Sequence, residues 1–221
     1  MDKKIIRLIL SGNSEEIRKN YNDEIFNDTI KYQKKYEFKI GKGKNATWNN
    51  EADAFKHTYG SAKAVFKYGM IVSRKEFDRH ENILKNNPVG EENMDRWNNY
   101  KGRDIAREIK RDYPNWRNIP ENQLNDIIAS RVIYKMRKGE LITTPNDKRK
   151  YNEQKCTFLE NLNLSERDYN NLINGSYNKT NELPELTIDK EAHRKWKSQN
   201  IGKAAPVEWS DMSDVYQKDN E

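Results

Sequence analysis

The chain has 221 residues, of which 34% are hydrophobic and 34% charged, against about 45–50% apolar and about 25% charged in ordinary globular domains. That length fits one domain with appendages or two small ones, with a core to which only part of the chain contributes. No stretch approaches the roughly 18–20 apolar residues of a membrane span, and the single cysteine, Cys156, excludes an internal disulfide or a Cys-rich zinc site.

The net charge of +6 favours an anionic substrate or macromolecule without choosing among nucleic acid, phospholipid and wall polymer. The opening MDKKIIRLIL is basic, then apolar for too few positions, and no small-residue cleavage site follows. It makes a poor secretion signal. The expectation is a chain that is cytoplasmic as synthesised, or delivered without a Sec signal peptide.

In chain order, Ile5 to Leu10 fit a short helix stopped at Ser11-Gly12. Ser14 is a candidate N-cap, with Glu15 and Glu16 in the first turn of the next helix. Ile17, Tyr21, Ile25 and Ile30 give that helix a thin apolar stripe. Residues 31–44 hold six lysines with Tyr32, Tyr36 and Phe38 interleaved. Such a segment suits a nucleic-acid or membrane surface, or else it is a solvated helix end running into a Gly-Lys-Gly-Lys loop; the second reading is preferred.

A helix entered through Asn49 and Asn50 and stopped at Gly69 buries Phe55, Tyr59, Ala62 and Phe66. A second runs from about Ser73 to Leu84, and Asn86 to Gly90 form a turn. A third, from about Glu91 to Arg111, carries Met94, Trp97, Ile105 and Ile109 and ends at Pro114. A fourth starts near Pro120, buries Leu124, Ile127, Ile128, Val132 and Met136, and is capped by Gly139. Residues 141–144 suit a short extended segment. Two short helices follow, Ser165 capping the second. Residues 176–221 read as an extended arm in which Trp196 and Trp209 dock on the protein's own body or on a protein partner; His193 there is incidental.

The fold expected is mainly α, a compact helical bundle core with a partly extended C-terminal arm. It divides into 1–45, N-terminal helices and basic segment; 46–147, the helical core with the candidate site; and 148–221, short helices and the arm.

Polar groups recur on three of these helices. Asp53 and His57 share one face at i,i+4 spacing, with small residues at 60–64 that would let something approach closely. His80-Glu81 lies on the next helix, and Asp95, Asn98, Asn99, Gly102 and Arg103 on one side of the third. Sites in helical bundles are commonly built from such facing side chains. Asp53, His57, His80, Glu81 and Asp95 are the candidate catalytic groups, and Asn98, Asn99 and Arg103 the candidate substrate binders. Imidazole with carboxylates can hold a divalent metal that activates water. Without one, His57 is a general base oriented by Asp53, and Arg103 stabilises a developing anion. The bland alternative is a surface Asp53–His57 ion pair worth a fraction of a kcal/mol, with the asparagines tying helices together.

The run from Glu51 to Ala62, the His80-Glu81 pair, Met94-Asp95-Arg96-Trp97-Asn98-Asn99 with Gly102-Arg103, and Gly139-Glu140-Leu141 together resemble a family of uncharacterised bacterial and phage domains. The family pattern is an Ala-Asp-Ala-Phe-Arg-His-Ala-Tyr helix, a His-Glu, a Met-Asp-Leu-His-Asn-Asn-x-x-Gly-Arg segment and a final Gly-Glu-Leu. The resemblance covers about residues 50–144 and implies a stand-alone protein or a module of secreted, toxin-like polypeptides. Lys56 stands where the family has Arg, and Trp97 where it more often has His. A metal site needing that His would be incomplete here.

Two functions follow as expectations. One is a hydrolase of an anionic substrate, a phosphodiester or a cell-envelope polymer, metal-assisted, of toxin-effector or phage type. The other is a non-enzymatic binding, virion or inhibitor protein that uses the basic segment and the arm.

Overall fold

Side-chain caps and glycines mark several of the helix ends. The computed structural model describes residues 15–83 and 88–174, and for 79–83 the backbone alone. The expected helix over 5–10, the Ser14 cap and the arm with His193, Trp196 and Trp209 lie outside the described residues. Within them the chain forms seven α-helices and no strand. They are α1 (Glu15–Tyr36), α2 (Glu51–Lys67), α3 (Met70–Ile83), α4 (Val89–Asp112), α5 (Glu121–Arg137), α6 (Glu153–Asn161) and α7 (Glu166–Ile173).

Asn50 caps α2 by accepting from the Asp53 N–H, and Asn152 and Ser165 do the same for α6 and α7. Each satisfies one of the orphan donors of a helix start. Gly69, at φ +94°, ends α2 and lets α3 begin at the next residue. Past α5, Gly139 takes φ +71°. Its N–H goes to Met136 O and the Glu140 N–H to Lys135 O, the pair of bonds of a Schellman stop. The expected extended segment at 141–144 is no strand: Leu141 and Ile142 drop into the core as loop residues. Asn98 holds them there, donating to Ile142 O at 2.8 Å and accepting from Ile142 N at 3.1 Å.

Helix α2 is buried on nearly every side. Phe55, Tyr59 and Ala62 face the core as the spacing predicts, but Asp53, Thr58, Ser61 and Lys63 are buried as well. Thr58 and Ser61 lie against α4, while Lys63 pairs with Glu24 and Asp28 of α1. Gly102 is the reason the two helices come so close, since a Cβ there would sit 2.1 Å from Thr58 O and 3.0 Å from Ala62 N.

Helix α1 joins the same core through Tyr21, Ile25, Tyr32 and Tyr36. The expected stripe is corrected at Ile30, which is only partly buried while Thr29 and Tyr32 take the inner face. Thr29 tolerates burial because its hydroxyl donates to Ile25 O at 2.8 Å. The rings of the basic segment are core side chains: Phe38 stacks on Phe55 at 4.8 Å and Tyr32 meets Phe55 at 5.9 Å. Lys31 and Lys35 lie over the Tyr32 and Tyr36 rings from outside. The segment therefore offers charge to solvent and no free ring for stacking.

Helices α6 and α7 attach to α4 through charge. Arg103, fully buried, donates to Glu160 at 2.6 Å and to Asp78 of α3 at 3.1 Å. Lys101 pairs with Glu166, whose N–H donates to Asp104 at 2.9 Å. No described helix is long and apolar enough to cross a membrane.

Gly102→Ala is expected to lower unfolding free energy by about 3 kcal/mol, the upper range for overpacking. The neighbour it strikes is backbone, which has no rotamer to turn away. Urea unfolding checks it; an unchanged midpoint would show that α2 and α4 tolerate a wider separation.

Candidate cation and acid–base site

Asp53 stands in the first turn of α2 and His57 one turn later, so both project from the same face. Asp95 and Asn99 have the same four-residue relation on α4. The close contact of the two helices brings the pairs together. His57 Nε2 lies 3.5 Å from Asp53 Oδ1 and 3.3 Å from Asp95 Oδ1, and its side chain is 12% exposed. One ligand atom from each of Asp53, His57 and Asp95 falls within 4.8 Å of the others.

Asn99 determines where the imidazole proton sits. Its Nδ2 donates to Phe77 O at 3.4 Å, and a carbonyl can only accept, so the amide oxygen is turned to His57. That oxygen lies 3.1 Å from Nδ1, which must therefore carry hydrogen. In the neutral imidazole Nε2 then presents a lone pair toward two carboxylates. This arrangement is repulsive unless a proton or a cation lies among the three groups. Second-shell acceptors of this kind are what fix the tautomer of metal-binding histidines.

The carboxylates differ. Asp53 accepts from the Asn49 N–H at 2.7 Å and pairs with Lys56 Nζ at 2.7 Å, while Lys56 also donates to Thr47 O. Among the described residues, Asp95 has no such support. Burial, and then the charge of Asp53, push its pKa from 3.8 up to about 8, against the opposing pull of Lys56. One proton or one cation thus belongs in the cluster near neutral pH.

The other expected site residues are placed as follows. The α3 backbone runs through positions 80 and 81, but the side chains of His80 and Glu81 lie outside the described residues. Asn98 commits its amide to Ile142, and Arg103 commits its guanidinium to Asp78 and Glu160. Both side chains satisfy buried partners. Asn99 orients His57. Trp97 sends its indole N–H to Glu140 O, so the imidazole missing at 97 is no member of this trio.

Two features escaped the sequence reading. Lys56 as partner of Asp53 was legible in the i,i+3 spacing. The other is a cleft of about 460 Å³ beside His57, whose walls come from α1, α2 and α3. Its α1 residues carry no local signal of that role.

The chain belongs to the DUF6973 family, a domain of unknown function, which matches residues 25–140, more than half of its length. The matched span contains Asp53, His57, Asp95, Asn99 and Gly102. No curated protein and no solved structure matches the chain.

In chelator-treated protein, Asp95 gives a pH dependence of unusual sign. A carboxyl raised in the folded state contributes full stability below its unfolded pKa and loses it as pH rises through the folded value. Stability should therefore fall between about pH 4 and about pH 8, the two ends of the Asp95 shift. Asp95→Asn should flatten that slope, as read from urea midpoints across the range. An equal slope in both proteins would assign it elsewhere.

Proposed function

We propose that Asp53, His57 and Asp95 hold a divalent cation and that the domain is a metal-assisted hydrolase of an anionic substrate, a phosphodiester or a cell-envelope polymer. The observation behind this reading is His57 Nε2 facing two carboxylate oxygens while Asn99 keeps the proton on Nδ1. One imidazole with two carboxylates suits borderline to hard divalent ions and leaves positions for water and substrate. Such an ion, when bound, supplies a more acidic water and offsets substrate charge. The chain's own groups do the rest: Asn99 orients the imidazole, and Asn49 and Lys56 hold Asp53.

The Asp95 shift also favours a second reading, in which a shared proton takes the place of the cation and the cluster works as a metal-free acid–base pair. The binding-protein reading has less support at the basic segment, because the rings at 32, 36 and 38 are buried. The setting we attach to the hydrolase is that of a toxin-type effector or a phage-encoded protein.

Elemental analysis of tag-free protein prepared without chelator is expected to find one divalent metal per chain, lost in His57→Ala and in the isosteric Asp95→Asn. Hydrolysis of phosphodiester or envelope substrates should fall at least about 100-fold in both variants, with cooperative unfolding kept. Activity without metal in the wild type would select the acid–base pair. No hydrolysis by the wild type, with partner binding lost on neutralising Lys31, Lys34 and Lys35 and kept in His57→Ala, would select the binding protein.

A further inference from the structure

Between α1 and α2 the chain makes a loop that closes on itself. The Gly41 N–H donates to Ala46 O at 2.8 Å, the Trp48 N–H to Asn45 O at 3.2 Å and the Ala52 N–H to Lys39 O at 3.0 Å. Gly43, at φ +61°, turns the tip. Lys39, Lys42 and Lys44 are exposed on this loop, and among the described residues none of the three is in an ion pair. The basic surface continues at the end of α5, where Arg137 donates to Tyr36 O at 3.0 Å and Lys138 is exposed. Of the nearby carboxylates, Glu37 is exposed, while Glu51 already accepts from the Lys39 N–H at 2.6 Å.

Trp48, 56% exposed, supplies the ring that the buried tyrosines of α1 do not. Its indole N–H donates to Glu91 at 3.3 Å, which sets the plane of the ring, and among the described residues no other ring stacks on it. Its two neighbours hold the cluster. Thr47 O accepts from Lys56 Nζ at 3.2 Å, and the Asn49 N–H donates to Asp53 at 2.7 Å. An anchored ring among unpaired lysines suits a base stacked beside its phosphate backbone. A membrane surface fits less well, because the indole N–H is already engaged and Ile40 is the loop's other exposed apolar side chain.

Resting on the hydrolase reading above for what becomes of the strand, we propose that this loop binds single-stranded nucleic acid, one base on Trp48 and phosphates along Lys39, Lys42 and Lys44. The phosphodiester brought to the cluster is then that of a nucleic acid. Binding itself needs no cation at Asp53, His57 and Asp95. It should weaken with salt, with a log–log slope of about 0.7 for each phosphate neutralised.

Fluorescence anisotropy of a labelled oligothymidylate of about 12 nucleotides, within the usual range of single-strand sites, tests this on the full chain with EDTA present. Trp48→Ala, at an exposed position, should keep the unfolding midpoint, weaken binding at least about tenfold and leave the salt slope as it was. Trp48→Phe should restore affinity to within about threefold. Lys42→Gln combined with Lys44→Gln should lower the slope by about 1.4. Several results overturn the proposal: Trp48→Ala without effect, a slope unchanged by the lysine substitutions, poly(glycerol phosphate) binding as tightly as the strand, or phosphatidylglycerol vesicles capturing the protein in preference to it. The two readings fail separately. No strand binding, with metal uptake and hydrolysis of another anion intact, overturns the interface alone. Strand binding with no hydrolysis, whether or not metal is supplied, sustains the interface and overturns the hydrolase.

Discussion

Helices α2 and α4 meet at Gly102 with no side chain between them, and the rest of the molecule is arranged around that contact. Backbone-to-backbone approach leaves no room for solvent, so the groups at the seam must pair within the protein. Ser61 does so by donating to Asn99 O at 2.8 Å, and Ser73 of α3 donates to Ser61 O at 2.8 Å. Two hydroxyls thereby link three helices at the seam where Asn99 reaches His57. Short side chains on α2 make the approach feasible, and the carboxylates one to two turns away are brought within reach of the imidazole as a result.

Helix α4 also separates two uses of buried charge. At Arg103 every positive group has its carboxylates, with Asp78 and Glu160 closing on one guanidinium from α3 and α6. Removing one member of such a set typically costs about 3–5 kcal/mol, because the partner is left buried and uncompensated. Two turns earlier the balance is different. Among the described residues, Asp53, Asp95 and one imidazole face one lysine, Lys56. A saturated cluster serves the fold, whereas an unsaturated one in a cleft has capacity for chemistry.

Much of this was legible in the sequence because it is local. Asn50, Ser165, Gly69 and Gly139 mark helix ends through their own backbone and side-chain chemistry, and Asp53–His57 follows from helical spacing alone. Partner choice across helices was not legible. Asn98 and Asn99 are adjacent and of one type, yet one fastens the loop at Ile142 and the other orients the imidazole, since a 100° step sends them to different neighbours. Arg103 read as an anion binder for the same reason, its partners lying 25 and 57 residues away. The interleaved rings of 31–44 misled through periodicity: Tyr32 and Tyr36 sit four apart on the inner face, and the lysines fill the remainder.

The register of α4 bears on how this domain can vary in length. Asp95, Asn99 and Gly102 must all reach α2 from one helix, and Gly102 admits no lateral slack against Thr58 O. One residue inserted between 95 and 102 would turn the cluster's half of the helix by about 100° relative to the seam, and a deletion would do the same in the opposite sense. Insertions and deletions among related sequences should therefore be barred from this stretch. They are expected in the connections at 38–48 and 143–152, where a change of length moves no helix face.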